Sequence, residues 1–473
     1  MASFALFLFT LLVLSSSFSS ANGQKNNRTV FSLASRIGIN YGRLGNNLPS
    51  PYQSINLIKS IKAGHVKLYD ADPETLKLLS QTNLYVTIMV PNNQIISIGA
   101  DQAAADNWVN TNVIPHYPQT QIRFVLVGNE ILSYSSDQTW SNLVPAMRKI
   151  VTSLRAKGIH NIKVGTPLAM DILRSSFPPS SGAFREEIVS PVMLPLLKFL
   201  NGTNSFFFLD VYPYFPWAAD PVNNKLDFAL FESNSTYTDS QTGLVYTNLL
   251  DQMLDSVIFA MTKLGYPDIR LAISETGWPN AGDIEQIGAN VLNAATYNRN
   301  LIKKMTANPP LGTPARRGSP IPTFLFSLFN ENQKPGSGTE RHWGILNPNG
   351  TQIYEIDFSG TRPVNNFSTL PKPSNNVPFK GDVWCVAVDG ASEEELGQAL
   401  NSACGRSNAT CAALAPGREC YAPVSVAWHA SYAFSSYWAQ FRNQSSQCYF
   451  NGLARETTTN PGNEVCKFPS VTL

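Results

Sequence analysis

Two glutamates far apart in the chain each follow an apolar run, and both are candidates for acid–base chemistry. Glu130 ends the run RFVLVGNE, and Glu275 stands in LAISETGWPNAG. A carboxyl group against apolar walls is poorly solvated, which raises its pKa and keeps it protonated as a general acid. Glycoside hydrolysis requires a second, facing carboxylate that attacks the anomeric carbon while the acid protonates the leaving oxygen. The alternative for Glu130 is an ion pair at the rim of the fold.

Polar and aromatic neighbours of these glutamates are candidates for sugar contacts. Asn129 precedes Glu130 and is placed to hydrogen-bond a hydroxyl group. Gly277 and Pro279 turn the chain sharply on either side of Trp278. We expect that turn to display the indole as a stacking platform, the alternative being a ring packed beneath its own loop.

A third group of candidates follows other apolar runs. Tyr41 and Tyr212 supply phenol hydroxyls and stacking faces, although either ring could be packing only. Glu331 and Lys334 in FNENQK predict an ion pair. That pair either holds a sugar hydroxyl and the nucleophile or has a purely structural role.

The elements that must position these residues are predicted from periodicity. Apolar runs that are nearly continuous are typical of parallel strands covered on both faces. We predict strands at 37–42, 65–70, 85–90, 123–130, 162–168, 206–215, 270–277 and 322–331. Helical patterns between them predict an α/β fold, a (β/α)8 TIM barrel, with a doubly wound open sheet as the alternative. In a barrel all strand C-termini share one face, so Glu130 and Glu275 would converge there.

The cysteines divide the chain. All six lie between Cys385 and Cys466, so the preceding four-fifths must be stable by core burial alone. The last fifth is predicted to be a small disulfide-rich domain from an oxidising compartment. Six cysteines allow 15 pairings, and spacing alone does not choose among them.

The ends and the junction of the chain suggest export and a two-domain arrangement. Residues 4–14 are almost wholly apolar and too short to span a bilayer, which predicts a signal peptide at 1–23. Seven glycosylation sequons agree with secretion, and we expect no transmembrane segment. We predict a barrel over 34–358, a linker over 359–380 and a module over 381–473. The alternative for the linker is a loop wrapped on the barrel surface.

Composition and missing motifs exclude several other functions. A net charge of +2 leaves no strong field to attract nucleic acid. Charged residues are only 14% and aromatic residues 11%, which suits a neutral ligand rich in hydroxyl groups. The histidines lack metal-ligand spacing, and the chain contains no P-loop or GxSxG elbow. We expect neither metal nor cofactor, because a double displacement by two carboxylates needs none.

Six short runs resemble glycoside hydrolase family 17, the plant endo-β-1,3-glucanases, from about Ile37 to Phe358. They are INYG, KLYDAD, VGNE, VYPYF, ISETGWPNAG and FNENQK. The resemblance implies a retaining glucan endo-1,3-β-D-glucosidase that cuts internal bonds of β-1,3-glucan. It implies Glu130 as acid/base and Glu275 as nucleophile. The residues implied to line sugar subsites are Tyr41, Asn129, Tyr212, Trp278, Glu331 and Lys334.

The C-terminal region resembles carbohydrate-binding module family 43, through WCVA, a central ACG and HASYAFSSYW. That resemblance implies a glucan-binding module with disulfides Cys385–Cys448, Cys404–Cys411 and Cys420–Cys466. The helical aromatics Tyr432, Phe434, Tyr437 and Trp438 either stack on glucan or form a buried stripe. We expect Phe434 to belong to the core.

The whole chain is therefore expected to be a secreted monomer of the cell wall or apoplast. One alternative is a β-1,3-glucan transglycosylase, which passes the same covalent intermediate to a sugar. Another is a wall protein that binds glucan without catalysis, which intact Glu130 and Glu275 argue against. Defence and turnover of the plant's own callose use the same chemistry, so the sequence leaves the biological role open.

Overall fold

A closed parallel barrel forms the larger part of the computed structural model, which describes residues 37–444 and 446–473. The predicted signal peptide lies outside the described residues. The strands are β1 (Gly38–Tyr41), β2 (His65–Leu68), β3 (Tyr85–Val90), β4 (Gln121–Val127), β5 (Lys163–Gly165, continued as Pro167–Ala169), β6 (Phe206–Asp210), β7 (Arg270–Thr276) and β8 (Thr323–Leu325).

Strand pairing distinguishes a barrel from an open sheet. β1 pairs with both β2 and β8. β5 is interrupted at Thr166; its first half pairs with β4 and its second half with β6. The two ends of the sheet therefore meet within one strand, and the predicted (β/α)8 barrel is confirmed.

Helices cover the outside of the barrel; most bury one apolar face against it, whereas Leu249–Lys263 is buried on nearly all sides. The longer ones are Pro51–Ser60, Pro73–Leu79, Gln102–Asn112, Asp137–Ala156, Leu194–Thr203, Leu249–Lys263 and Val291–Met305; shorter ones are Ile95–Ala100, Ile131–Tyr134, Glu186–Ile188, Tyr214–Ala219 and Leu226–Ala229. Buried phenylalanines, including Phe124, Phe206, Phe208 and Phe324, form a separate cluster of inward-facing side chains. The barrel interior is thus a packed core on which a site can be built.

Two strands, β6 and β8, end about five residues earlier than the apolar runs predict. β6 stops at Asp210, because Pro213 has no backbone N–H and a helix begins at Tyr214. Regular pairing of β8 ends at Leu325, although Leu328 N still donates to Asn40 O of β1 at 2.9 Å, and Phe329 bridges to Leu346. Residues predicted at these strand ends, such as Tyr212 and Glu331, therefore belong to loops.

The C-terminal module is a small sheet packed on two helices, Glu393–Cys404 and Val426–Phe441. Its antiparallel strands are β9 (Asp382–Ala387), β10 (Ala454–Thr457) and β11 (Val471–Thr472), with β9 central. Disulfides join Cys385 to Cys448, Cys404 to Cys411 and Cys420 to Cys466, which are the pairings that the resemblance implies.

The segment between barrel and module, 359–380, packs against the barrel. Asn375 O accepts from Gly288 N at 2.6 Å, and Asn376 Oδ1 accepts from Asn293 Nδ2 at 2.8 Å. The guanidinium of Arg299 lies 4.0 Å from the ring centre of Phe367. No helix within the described ranges is long and apolar enough to cross a bilayer.

Candidate active site

A cavity of about 430 Å³ opens at the face where the barrel strands end. Both predicted catalytic glutamates, Glu130 and Glu275, line it. Other parts of its wall come from the segments that follow β2, β4, β5, β6 and β8. The topology thus brings side chains from distant parts of the sequence to one place, as expected for a TIM barrel.

Glu275 stands near the end of β7, is only 6% exposed, and is held by three donors. Lys67 Nζ donates to Oε1 at 2.7 Å and the hydroxyl of Tyr69 donates to the same oxygen at 2.5 Å. The hydroxyl of Tyr212 donates to Oε2 at 2.8 Å. Both carboxylate oxygens are therefore fixed in position.

These contacts determine the charge of Glu275. Burial alone raises its pKa, but the positive charge of Lys67 and the hydrogen bonds from Lys67, Tyr69 and Tyr212 outweigh it. The net effect holds the pKa of Glu275 below its usual value. This carboxyl is therefore ionised at neutral pH, as a nucleophile must be.

Glu130 follows β4 through a left-handed turn. Gly128 has φ of 71° and Glu130 itself has φ of 49°, and Glu130 N donates to Pro167 O at 3.1 Å. Burial, followed by the negative charge of Glu275, raises the pKa of Glu130 to about 7. Glu130 therefore carries a proton when Glu275 does not. A general acid must be protonated and a nucleophile ionised, so this difference suits the two predicted roles.

A third acid, Asp210, lines the same cavity at the end of β6. It is 2% exposed; Ser274 Oγ donates to its Oδ1, and its Oδ2 has no hydrogen-bond partner. Burial and the charge of Glu275 raise the pKa of Asp210 well above its usual range. The charge of Glu275 therefore disfavours ionisation of Asp210, its neighbour in the same cavity.

Three predicted sugar-contact residues line the cavity: Asn129, Tyr212 and Lys334. The backbone of Asn129 is fixed by Asn92, whose Oδ1 accepts from Asn129 N at 2.8 Å. Its own Oδ1 is buried without a hydrogen-bond partner, so it remains available to a ligand hydroxyl.

The structure corrects the expectation for the other three, which do not line this cavity. Trp278 is 0% exposed and its Nε1 donates to Gly288 O at 2.8 Å, so its ring packs beneath its own loop. Tyr41 is 3% exposed and packs edge-on against Phe329.

Glu331 is 3% exposed and accepts from Leu44 N at 2.8 Å. The predicted ion pair with Lys334 is present, with 3.7 Å between Nζ and Oε2. Glu331 therefore joins the loops that follow β1 and β8, whereas only Lys334 reaches the cavity.

Five further residues in or beside the cavity were not predicted from the sequence: Lys67, Tyr69, Asp210, Glu340 and Trp343. Lys67 and Tyr69 stand in KLYDAD, and a lysine inside an otherwise buried strand was the available signal. Glu340 and Trp343 lie in the irregular segment after β8 and carried no recognisable pattern. No group of His, Cys, Asp or Glu suited to a metal ion occurs in the described ranges.

An ionised and a protonated carboxyl group in one cavity at this face of a TIM barrel are the arrangement of a glycoside hydrolase. The chain belongs to glycosyl hydrolases family 17, whose family model matches residues 37–358. The model of the X8 domain matches residues 383–455, within the region that resembles carbohydrate-binding module family 43.

Similar proteins carry consistent names. A probable glucan endo-1,3-beta-glucosidase A6 of Arabidopsis thaliana is 73% identical over the full length of both chains. A glucan endo-1,3-beta-D-glucosidase of Olea europaea is 34% identical over 98% of this chain and 97% of its own. The solved structure of a β-1,3-glucanase and allergen from Cryptomeria japonica pollen is 40% identical, with a TM-score of 0.64, over 68% of this chain and 99% of its own.

Proposed function

We propose that this protein is a secreted retaining endo-hydrolase of β-1,3-glucan. The observation that carries the proposal is the pair of glutamates in one cavity with opposite protonation states, Glu275 ionised and Glu130 protonated up to a pH of about 7. The names of the relatives support β-1,3-glucan as the substrate.

In the first step Glu275 attacks the anomeric carbon while Glu130 gives its proton to the leaving glycosidic oxygen. The glycosidic bond breaks and a glycosyl ester forms on Glu275. In the second step Glu130, now a carboxylate, takes a proton from water, which attacks the same carbon and releases Glu275. Two displacements retain the β configuration.

Lys67, Tyr69 and Tyr212 position the nucleophile in this scheme. Their hydrogen bonds keep Glu275 in one orientation and stabilise its negative charge. That charge is restored when the ester breaks, so the same contacts stabilise Glu275 as a leaving group in the second step.

Internal cleavage is supported by the shape of the site. A second cavity of about 760 Å³ shares Met170, Pro216 and Met253 with the catalytic cavity. It is lined by further rings, among them Phe177 and Tyr237. A polysaccharide can therefore occupy positions beyond the point of cleavage, instead of being bound only by its end.

Secretion is supported by the module. Three disulfides in one small domain form and persist in an oxidising compartment. We place the protein in the cell wall or apoplast, where its substrate is insoluble glucan, either callose or a fungal wall polymer.

The test is product analysis on laminarin over time, with proton NMR of the newly formed anomeric carbon. We expect short β-anomeric oligosaccharides early in the reaction. Early α-anomers would overturn retention, release of glucose alone would overturn internal cleavage, and products longer than the substrate would indicate transfer to sugar.

The variant that tests the nucleophile is Glu275→Gln, which should lose at least about 1,000-fold in kcat while still binding laminarin. Near wild-type turnover by this variant would mean that the nucleophile is another residue.

A further inference from the structure

A third cavity, of about 1090 Å³, lies between the barrel and the C-terminal module, and neither the catalytic scheme nor the glucan names of the relatives assigns it a role. The barrel contributes Asn46, Gln333 and Lys334 to its wall, from the segments after β1 and β8. The module contributes Arg406, Tyr437 and Gln447. The cavity between the barrel and the module thus lies at or beside the catalytic face of the barrel.

Specific contacts hold the module in this position. The hydroxyl of Tyr449 donates to Asn332 O, and the guanidinium of Arg341 lies 3.7 Å from the centre of the Tyr449 ring. Ile284 N donates to Glu456 Oε2 at 2.7 Å. These contacts, together with the ion pair of Arg442 with Glu285, join the barrel loops after β7 and β8 to the module.

The cavity between the domains adjoins the catalytic cavity. Lys334 lines both of them. The 760 Å³ cavity meets the catalytic cavity on the other side, where the segments after β5 and β6 contribute Met170 and Pro216. Since β1 and β5 are opposite in an eight-stranded barrel, the three cavities form one row across the face.

The lining of this third cavity suits a neutral chain rich in hydroxyl groups. Side-chain amides of Asn46, Gln333 and Gln447 can donate and accept, and no carboxylate is present in the wall. Two of its cations are already engaged: Lys334 with Glu331, and Arg341 with backbone oxygens and the Tyr449 ring. Arg406 is a third cation of the wall, so binding of an acidic polymer is one of the outcomes tested below.

Tyr437 supplies the ring that such a chain would stack on. Of the four helical aromatics singled out in the module, Tyr432, Phe434 and Trp438 are buried in its core. Tyr437 is only half-buried and lines the cavity. An aromatic face beside polar side chains is a common way to hold a sugar ring.

We infer that the cavity between barrel and module is a distal subsite for the glucan chain being cut. Module and barrel then form one composite cleft, in which Tyr437 contacts sugar units beyond those held by the barrel. This inference rests on the proposed function, and it differs from a module that binds glucan independently of the cleft.

The experiment measures kcat/KM of the full chain on laminari-oligosaccharides of increasing length. Tyr437→Ala should lower kcat/KM about ten-fold on long oligosaccharides and leave short ones unchanged. Tyr437→Phe, which keeps the ring, should behave as wild type. Tyr421→Ala is the matched control, because Tyr421 belongs to the module but lies outside this cavity.

Three outcomes would overturn the inference. Equal losses at every length would show that Tyr437 matters for the fold only, which thermal unfolding of the variant would also reveal. Weaker retention on insoluble glucan with unchanged kcat/KM on long oligosaccharides would show an independent module. Binding of polygalacturonate, but not of laminarin, to the Glu275→Gln variant would show an anion site. Absence of wild-type turnover at any length would instead refute the proposed function.

Discussion

Lys67 is fully buried, and its ammonium group lies 2.7 Å from Glu275, the proposed nucleophile. A buried cation of this kind stabilises little by itself, since the cost of desolvation offsets the attraction. Its effect on the pKa of Glu275 is larger, because it is the main influence that opposes burial. Lys67 is therefore best understood as a positioning residue that keeps the nucleophile charged.

Replacing this lysine should expose that role. In Lys67→Met we expect kcat/KM to fall about 100-fold, by analogy with loss of one preorganised donor. The pKa of Glu275 should rise, so the acidic limb of the pH profile should move to higher pH. Lys149→Met, which removes a lysine bonded to Gly99 O on the outer layer, is the control. An unchanged acidic limb in Lys67→Met would contradict the assignment.

The pH profile of the wild type tests Glu130. Its pKa of about 7 means that the required protonated form is lost as the pH rises through that value. We expect kcat/KM to decrease above about pH 7 for this reason. Aryl glucosides whose leaving groups need no proton should still react with Glu130→Gln. The pH profile of kcat/KM for this variant should lack the basic limb, because residue 130 no longer titrates. A basic limb that persists in that variant would assign the titration to another group.

At the level of elements, the turn between β4 and Glu130 fixes where the acid points. A side chain at Gly128 would place Cβ 2.6 Å from Ile95 Cδ1 and 2.7 Å from Ile131 Cγ1. Gly158 has a similar φ of 73°, but a Cβ there would meet nothing within 4 Å. Alanine at Gly158 would therefore introduce backbone strain alone, whereas alanine at Gly128 would add a steric conflict to the same strain.

We expect Gly158→Ala to cost about 1 kcal/mol of stability and to leave kcat unchanged. Gly128→Ala should cost more, about 2–4 kcal/mol, and should also lower kcat because Glu130 is displaced. Urea unfolding and laminarin turnover measure both effects. Equal stability losses and equal turnover in the two variants would show that the turn does not position Glu130.

The strands and the two glutamates could be predicted from the sequence because each strand is a buried apolar run. β7 was predicted as 270–277 and spans Arg270–Thr276. The hydrogen-bonding shell of Glu275 was not predicted, since Lys67 and Tyr69 come from β2 and its following segment, and only tertiary structure joins them to β7. Trp278 was placed wrongly because a turn signal does not tell whether its ring faces solvent or core.

At the scale of the whole molecule, we expect Glu456 to couple the position of the module to pH. Burial and the charge of Asp283 raise the pKa of Glu456 to about 7, although the bond from Ile284 N and the charge of Arg442 lower it. The docked state thus binds a proton more tightly than a free module does. Docking should be strongest below about pH 4.5, the ordinary value for a free glutamate, and should weaken as the pH rises through about 7.

Small-angle X-ray scattering across this range should show the radius of gyration increasing with pH. In Glu456→Gln the side chain cannot titrate, so the radius should no longer respond. Glu464→Gln, at an exposed position of the module, should behave as wild type. The same pH response in Glu456→Gln would show that another group controls docking.

The packed segment 359–380 has a further consequence. This segment does not act as a flexible linker, because it is held to the barrel by contacts at Phe367, Ser368, Asn375 and Asn376. Together with the docking contacts of Tyr449 and Glu456, this segment keeps Tyr437 at a set distance from Glu275 while the module is docked. The inferred subsite then predicts that each cut on insoluble glucan falls a fixed number of sugar units from the unit bound at Tyr437.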